Sequence, residues 1–220
     1  MTPNRSSAVM QQRTEPHDSL DDFPTPPWAT RALCEWLRQQ HGPLAGLTCR
    51  EPAANRGHMA RTLGEYFGTV EAADIHDYGA GYPVRDYLFG PLPAAVHWTI
   101  TNPPFRLAEQ FIQRALATSR AGAAVIVRTA FLEGVGRYLD LFRALPPSDI
   151  LQFTERVVMH RGKLSEKGST ATAYCWLVWR NPATGEAPRF RWIGPCRRRL
   201  EREGDYPRDL VPTCSKELLI

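Results

Sequence analysis

The chain has 220 residues, a formal net charge of +4 and 23% charged side chains, enough to bury one sizeable core and too short for a comfortable second domain. No apolar run reaches the roughly 18 residues a membrane span needs, and the polar amino end, with Asn4, Arg5, Gln11, Gln12 and Arg13, lacks a signal-peptide core. The 5 cysteines (Cys34, Cys49, Cys175, Cys196, Cys214) are dispersed and never in Cys-x-x-Cys spacing, which speaks against a disulfide framework and for a reducing, cytoplasmic setting.

Residues 1–20 are polar and aperiodic and read as a disordered tail, residues 21–200 as a single domain, and residues 201–220 as a carboxyl-terminal tail. The run Pro24-Thr25-Pro26-Pro27-Trp28 favours an extended segment, after which Ala32, Leu33, Trp36 and Leu37 mark one face of a helix over 28–40. A strand over 48–52 leads into the turn Ala53-Ala54-Asn55-Arg56-Gly57-His58, and Met59, Leu63 and Phe67 carry the next helix face. A second strand, over 69–75, delivers Asp74. Strand, tight turn, helix, strand and acid is the order that places a nucleotide site above a parallel sheet.

A loop rich in Gly and Tyr, 76–82, precedes Val84-Arg85-Asp86-Tyr87-Leu88, and the apolar run 96–101 then stands as the fourth presumptive parallel strand. It ends directly in Asn102-Pro103-Pro104-Phe105. Leu107, Phe111, Ala115 and Leu116 predict a helix over 106–119, which Ala121-Gly122 separates from the central-type strand 123–128. Tyr138, Leu141, Phe142 and Leu145 predict a further helix face, stopped by Pro146-Pro147. Strand candidates over 150–153, 172–179 and 190–193 look hairpin-like. The expected fold is therefore α/β, a doubly wound, mostly parallel sheet with an antiparallel edge.

Three segments carry chemistry. An amide, two residues of nearly fixed φ and an aromatic ring at the carboxyl end of a strand form a rigid holder for a planar amine. In Glu51-Pro52-x-x-Asn55-x-Gly57, Gly57 permits close backbone approach and Asn55 tolerates positive φ, as a small-molecule turn over a helix start requires. Two basic stretches suit a phosphate backbone: residues 153–172, with Arg156, Arg161, Lys163 and Lys167, and residues 187–200, where Arg189, Arg191, Arg197, Arg198 and Arg199 interleave with Phe190 and Trp192. Each could equally be a solvated face. His58, His76, His97 and His160 make no close ligand pair, so no metal site is expected.

The three blocks Pro24-Thr25-Pro26-Pro27-Trp28, Glu51-Pro52-Ala53-Ala54-Asn55-Arg56-Gly57 and Asn102-Pro103-Pro104-Phe105 together resemble the signatures of S-adenosylmethionine-dependent DNA adenine N6-methyltransferases, in particular the short phage-type members. The resemblance covers roughly residues 22–180 and departs from the family at Asn55, which stands where a first glycine is usual. It implies a class I methyltransferase-like domain with a seven-stranded sheet, S-adenosylmethionine as cofactor, DNA as partner, a monomer or homodimer, and a cytoplasmic location in a phage-infected or prophage-bearing bacterial host. By the same resemblance Thr25, Pro26 and Trp28 approach the methionine moiety, Glu51, Ala53, Asn55 and Gly57 form the cofactor turn, Asp74 and Ile75 meet the ribose side, and Asp86 lies near the cofactor adenine. Asn102 and the carbonyl of Pro103 would accept hydrogen bonds from the exocyclic amine, Pro104 would stiffen the turn, and Phe105 would stack on an extruded base. Methylation of RNA adenine or of a protein glutamine amide, and a catalytically silent nucleic-acid-binding module, remain as alternatives.

Overall fold

A computed structural model describes residues 21–181 and 185–206; the expected tail 1–20 and most of the expected tail 201–220 lie outside the described residues. Among the described residues seven strands occur, β1 (Thr48–Glu51), β2 (Thr69–Ala72), β3 (Val96–Thr101), β4 (Ser119–Arg128), β5 (Asp149–Phe153), β6 (Tyr174–Arg180) and β7 (Arg189–Ile193), and they form one sheet in the order β2-β1-β3-β4-β6-β5-β7. All neighbours are parallel except β6, which runs antiparallel to both β4 and β5.

Alternation along the two longest central strands builds three layers. Ala124 and Ile126 of β4, with Trp176 and Val178 of β6, face one side and pack with Trp28, Leu33 and Leu37 of helix α1 (Pro27–His41) and Leu63 of helix α2 (His58–Leu63). Val125 and Val127, with Cys175, Leu177 and Trp179, face the other side and pack with Ala108 and Ile112 of helix α3 (Ala108–Ala117) and with Leu141. Residues buried on both faces explain why these strands read as near-continuous apolar runs.

α1 begins with Pro27 at a position where the missing N–H is harmless, and ends at Gly42, whose φ of 79° lets its N–H donate back to Arg38 O at 2.9 Å. Arg31, on the same helix and only 3% exposed, is clamped by Glu65 and Asp205 at 2.7 Å each and donates to Leu200 O. That clamp ties the first residues of the expected carboxyl-terminal tail onto the domain.

Four local expectations are corrected. The segment 84–88 forms no strand and contributes only a bridge between Asp74 and Val84, so the Asn-Pro-Pro-Phe turn follows the third strand and not the fourth. Gly122 lies inside β4, not before it: a Cβ there would meet the Trp98 ring at 2.8 Å, so the missing side chain serves close strand packing. The segment 135–142 is a short helix, α4 (Val135–Arg137), running into a π turn (Tyr138–Phe142), and only Leu141 is buried while Tyr138 and Leu145 face solvent. Finally β7 pairs in parallel with β5, at Leu151 opposite Arg191, and makes no hairpin with β6.

The connection from β1 passes outward to β2, whereas β3 lies on the other side of β1 and leads to β4. The order in which strands are added to the sheet thus reverses between β1 and β3, and such switch points open a crevice at the carboxyl ends of the strands. Glu51 ends β1 and Asn102 follows β3, so both face it.

Candidate active site

A cavity of about 550 Å³ fills that crevice. Its lining includes Thr25, Glu51, Ala53, Asn55, Asp74, Ile75, Asp86, Asn102 and Pro104, which the sequence placed in the Pro-rich block, the strand 48–52 and the turn after it, the strand 69–75, the segment 84–88 and the turn after 96–101.

The floor is Glu51, fully buried at the end of β1. One carboxyl oxygen accepts from Thr101 Oγ1 at 2.5 Å and from Ala53 N at 3.1 Å, while Oε2 is buried with no donor. Burial pushes its carboxyl well above the usual carboxylate range, more than the hydrogen bonds from Thr101 and Ala53 hold it down. A buried acceptor without a donor is suited to a cationic or N–H-bearing ligand group in the cavity.

The turn above it is shaped by Asn55, whose φ of 51° makes it the non-glycine residue with positive φ among the described residues. The strain of that conformation is met by hydrogen bonds: Asn55 N donates to Asp74 Oδ2 at 2.8 Å, Asn55 Nδ2 donates to Asp22 Oδ1 at 2.8 Å, and Arg56 N donates to Asn55 Oδ1 at 2.6 Å. Gly57, with φ 79°, caps α2, and any Cβ there would collide with the ring of Tyr82. His58 follows in the cavity wall; burial, together with Arg61 and Arg56, lowers its pKa to about 4 and keeps the imidazole neutral near pH 7. Asp74 closes the other wall, its second oxygen accepting from His76 N at 2.9 Å. Tyr78 stands beside it, its phenol pushed up to about 12 by burial and by Asp74 and Asp22.

At the opposite wall Asn102 Nδ2 donates to Phe23 O at 2.9 Å and to Thr25 Oγ1 at 3.1 Å. Both amide hydrogens are therefore engaged by the amino-terminal segment, and the side-chain oxygen remains as the acceptor. Asp21 accepts from Phe105 N at 2.8 Å, which anchors the far end of the turn. Pro103 is buried. The Phe105 ring packs against Phe23, centroids 5.6 Å apart, and carries the Arg128 guanidinium 4.2 Å from its centroid. Phe105 does not line the cavity itself, and neither do Pro26, Gly57 or Trp28. Trp28 is a core residue, 1% exposed and edge-on to Phe153 at 5.4 Å.

The two basic stretches separate. Residues 154–173 fold over the site end of the sheet, where Met159 Sδ lies 3.9 Å from Asn102 Nδ2 and Gly162 N donates to Asp22 O at 2.8 Å. This leaves Arg156, Arg161, Lys163 and Lys167 exposed. Arg189 and Arg191 instead serve the fully buried Asp149, at 3.4 and 2.8 Å, together with Arg180 at 2.7 Å. Asp149 and Arg189 begin β5 and β7, which run parallel to β4, so this cluster starts at the end of the sheet away from the cavity and neutralises a core carboxylate. Arg197 is paired with Glu201 at 2.6 Å and donates to Glu166 O, whereas Arg198 is exposed. Asp21, Asp22, Tyr78, Met159 and Arg128 are site residues that sequence reasoning missed; the acids Asp21-Asp22 immediately before the Pro-rich block were the available signal.

Among the described residues there is no group of three His, Cys, Asp or Glu side chains placed to hold a metal, and no helix is long and apolar enough to cross a membrane.

No family model matches the chain, and no curated protein matches it in sequence. Solved structures do match in fold. A Listeria monocytogenes protein assigned to the class I S-adenosylmethionine-dependent methyltransferases aligns with TM-score 0.59 and 12% identity over 77% of this chain and 65% of its own. The methyltransferase subunit of a type I restriction-modification system from Streptococcus thermophilus aligns with TM-score 0.58 and 10% identity over 86% of this chain and 50% of its own. A Pyrococcus horikoshii protein assigned as an RNA methyltransferase aligns with TM-score 0.56 and 17% identity over 76% of this chain and 90% of its own. The chain thus spans less than two thirds of the length of the first two. The fold is that of these methyltransferases, a mostly parallel seven-stranded sheet with one antiparallel strand.

Proposed function

We propose that the chain transfers a methyl group from S-adenosylmethionine to the N6 amine of adenine in DNA. The observation that carries this reading is the oriented Asn102 amide: its nitrogen is held by Phe23 O and Thr25 Oγ1, which leaves the oxygen to receive an amine at the edge of the cavity.

When bound, S-adenosylmethionine supplies an electrophilic methyl group on a sulfonium centre. The donorless Glu51 Oε2 suits an ammonium, the turn 53–57 offers close backbone approach, and Asp74 keeps unshared acceptor capacity toward ribose hydroxyls. On the acceptor side Asn102 Oδ1 and the Pro103 carbonyl take one N–H each. As the amine takes up the methyl group it would gain positive charge, which these two acceptors would stabilise more than they stabilise the neutral amine. The surplus proton then leaves to water. Pro103 and Pro104 hold the acceptors without reorganisation during this step.

DNA as the polymer is favoured by the exposed Arg161, Lys163 and Lys167 of the loop that packs on Asn102 through Met159, and by the likeness to a restriction-modification subunit. Incubation with methyl-labelled S-adenosylmethionine and separate DNA, RNA and protein substrates tests it, with N6-methyladenine in DNA as the expected product. Label appearing only in RNA or in a protein amide overturns the acceptor assignment. Asn102→Ala should lower kcat by about 10²–10³ and leave cofactor binding unchanged; equal losses in both would indicate a folding defect.

A further inference from the structure

Arg128 closes β4 at the carboxyl end of the sheet, level with the Asn-Pro-Pro-Phe turn, because Thr101 pairs with Val125 and each chain then runs on in the same direction. Its guanidinium lies 4.2 Å from the Phe105 centroid and 5.9 Å from that of Phe23. The face of the cation is thus used by two aromatic rings, a contact that a delocalised guanidinium makes well.

Its edge is not used. Among the described residues no hydrogen bond or ion pair reaches the Arg128 guanidinium, and its Nε is buried without an acceptor. Other arginines at this end of the sheet differ: Arg56 holds Asp22 at 2.9 Å, Arg137 holds Glu109 at 3.3 Å, and Arg197 holds Glu201 at 2.6 Å. A half-buried guanidinium with five N–H donors in a fixed fork is the form of side chain that matches a phosphate bidentately. A nucleotide brought to Asn102 necessarily carries a phosphate a few ångströms from its base, and a protein amide carries no such obligatory anion.

We infer that Arg128 is a phosphate-contacting, positioning residue of the acceptor side, receiving the backbone phosphate beside the adenine presented to Asn102 while its face steadies Phe105. This rests on the reading of DNA as substrate. It also gives that reading a means of preferring nucleotides over amides, which Asn102 alone lacks.

The test is the salt dependence of binding to a fluorescent DNA duplex, followed by anisotropy, for the full chain and for Arg128→Gln, Arg128→Lys and Arg128→Met, the last preserving contact with the rings. Loss of one phosphate contact changes the slope of log K against log salt by about 0.9, so the affinity deficit of R128Q and R128M shrinks about 3.5-fold between 50 and 200 mM salt. R128K keeps the wild-type slope. A slope unchanged in both R128Q and R128M, even with kcat reduced, overturns the inference and leaves Arg128 as a prop for Phe105. Failure of the wild-type chain to bind DNA overturns it as well. The reduced slope without any N6-methyladenine product sinks the methylation reading alone, and N6-methyladenine formation with an unchanged slope sinks only the role of Arg128.

Discussion

Glu51→Gln separates the cost of the cavity floor from its use. In the free protein the Glu51 carboxyl is fully buried, with one oxygen bonded to Thr101 and Ala53 and the other without a donor. Its pKa therefore stands well above the ordinary 4.5. The sign follows from proton counting. Between the unfolded value near 4.5 and the raised folded value, the native state binds one proton more than the unfolded chain, so stability falls as pH rises. Glutamine keeps the shape and the acceptor for Thr101 but does not titrate. The wild type should lose stability relative to E51Q by a slope approaching about 1.4 kcal/mol per pH unit above the carboxylate range. In a domain of this size that corresponds to a melting-temperature gap widening by roughly 3–5 °C per unit. Thermal or urea unfolding of the two proteins without cofactor from pH 5 to 8 reads it directly. The second arm has the opposite sign: if Glu51 Oε2 receives a cationic donor, E51Q loses a charge-assisted hydrogen bond, about 1.5–3 kcal/mol or roughly ten- to hundred-fold in S-adenosylmethionine affinity by calorimetry. A stability gap that does not move with pH refutes the burial argument, and unchanged cofactor affinity refutes the ligand role.

Three further outcomes follow from packing and charge. Arg31→Met strands Asp205, 6% exposed, without its partner, and should cost about 3–5 kcal/mol, a fall on the order of 10 °C in a thermal melt. Gly122→Ala drives a Cβ against the Trp98 ring and the Trp179 carbonyl and should destabilise by about 1–3 kcal/mol in urea unfolding. Arg191→Ala should leave the salt slope of DNA binding untouched, because Arg191 serves Asp149 within the sheet; a slope change of about 0.9 would instead show that this face meets DNA.

The fold was legible where side chains are buried on both faces. The run Ala123 to Val127 and the strand holding Trp176 are almost wholly apolar, so their apolar content sufficed to place them. The segments that misled are those where a local signal competes with packing. Gly122 looks like a break because glycine usually is one, and only the Trp98 ring lying over it reveals why a strand needs it. Tyr138 and Leu145 have helical spacing but no element to cover them, so spacing alone overstated the helix. Within the site, Glu51, Asn55, Asp74 and Asn102 could be named because each ends a strand or forces a turn. Asp22 and Arg128 act through partners far away in sequence, Asn55 and Gly162 for one and Phe105 for the other, and no pattern of neighbours encodes such contacts. The ion-pair partner of the β7 arginines was hidden for the same reason, since Asp149 begins a different strand.

Those distant contacts converge on four residues of the segment 21–25. Asp21 accepts from Phe105 N, Asp22 accepts from Asn55 Nδ2, from Arg56 Nη1 and, through its carbonyl, from Gly162 N, and Phe23 O and Thr25 Oγ1 hold the Asn102 amide. One short strap thereby bonds the turn after β1, the turn after β3 and the basic loop 154–173. The prolines at 24, 26 and 27 restrict the strap's own backbone, so its acceptors keep fixed spacings without a secondary structure to impose them. The Asn55 side chain depends on this arrangement: a glycine at its place would supply positive φ with no strain but would donate nothing to Asp22, and Arg56 alone would then join turn to strap through its side chain. The departure from a glycine turn is thus matched by a compensating bond, and it makes the geometry of the Asn102 clamp depend on the same strap that shapes the opposite wall of the cavity.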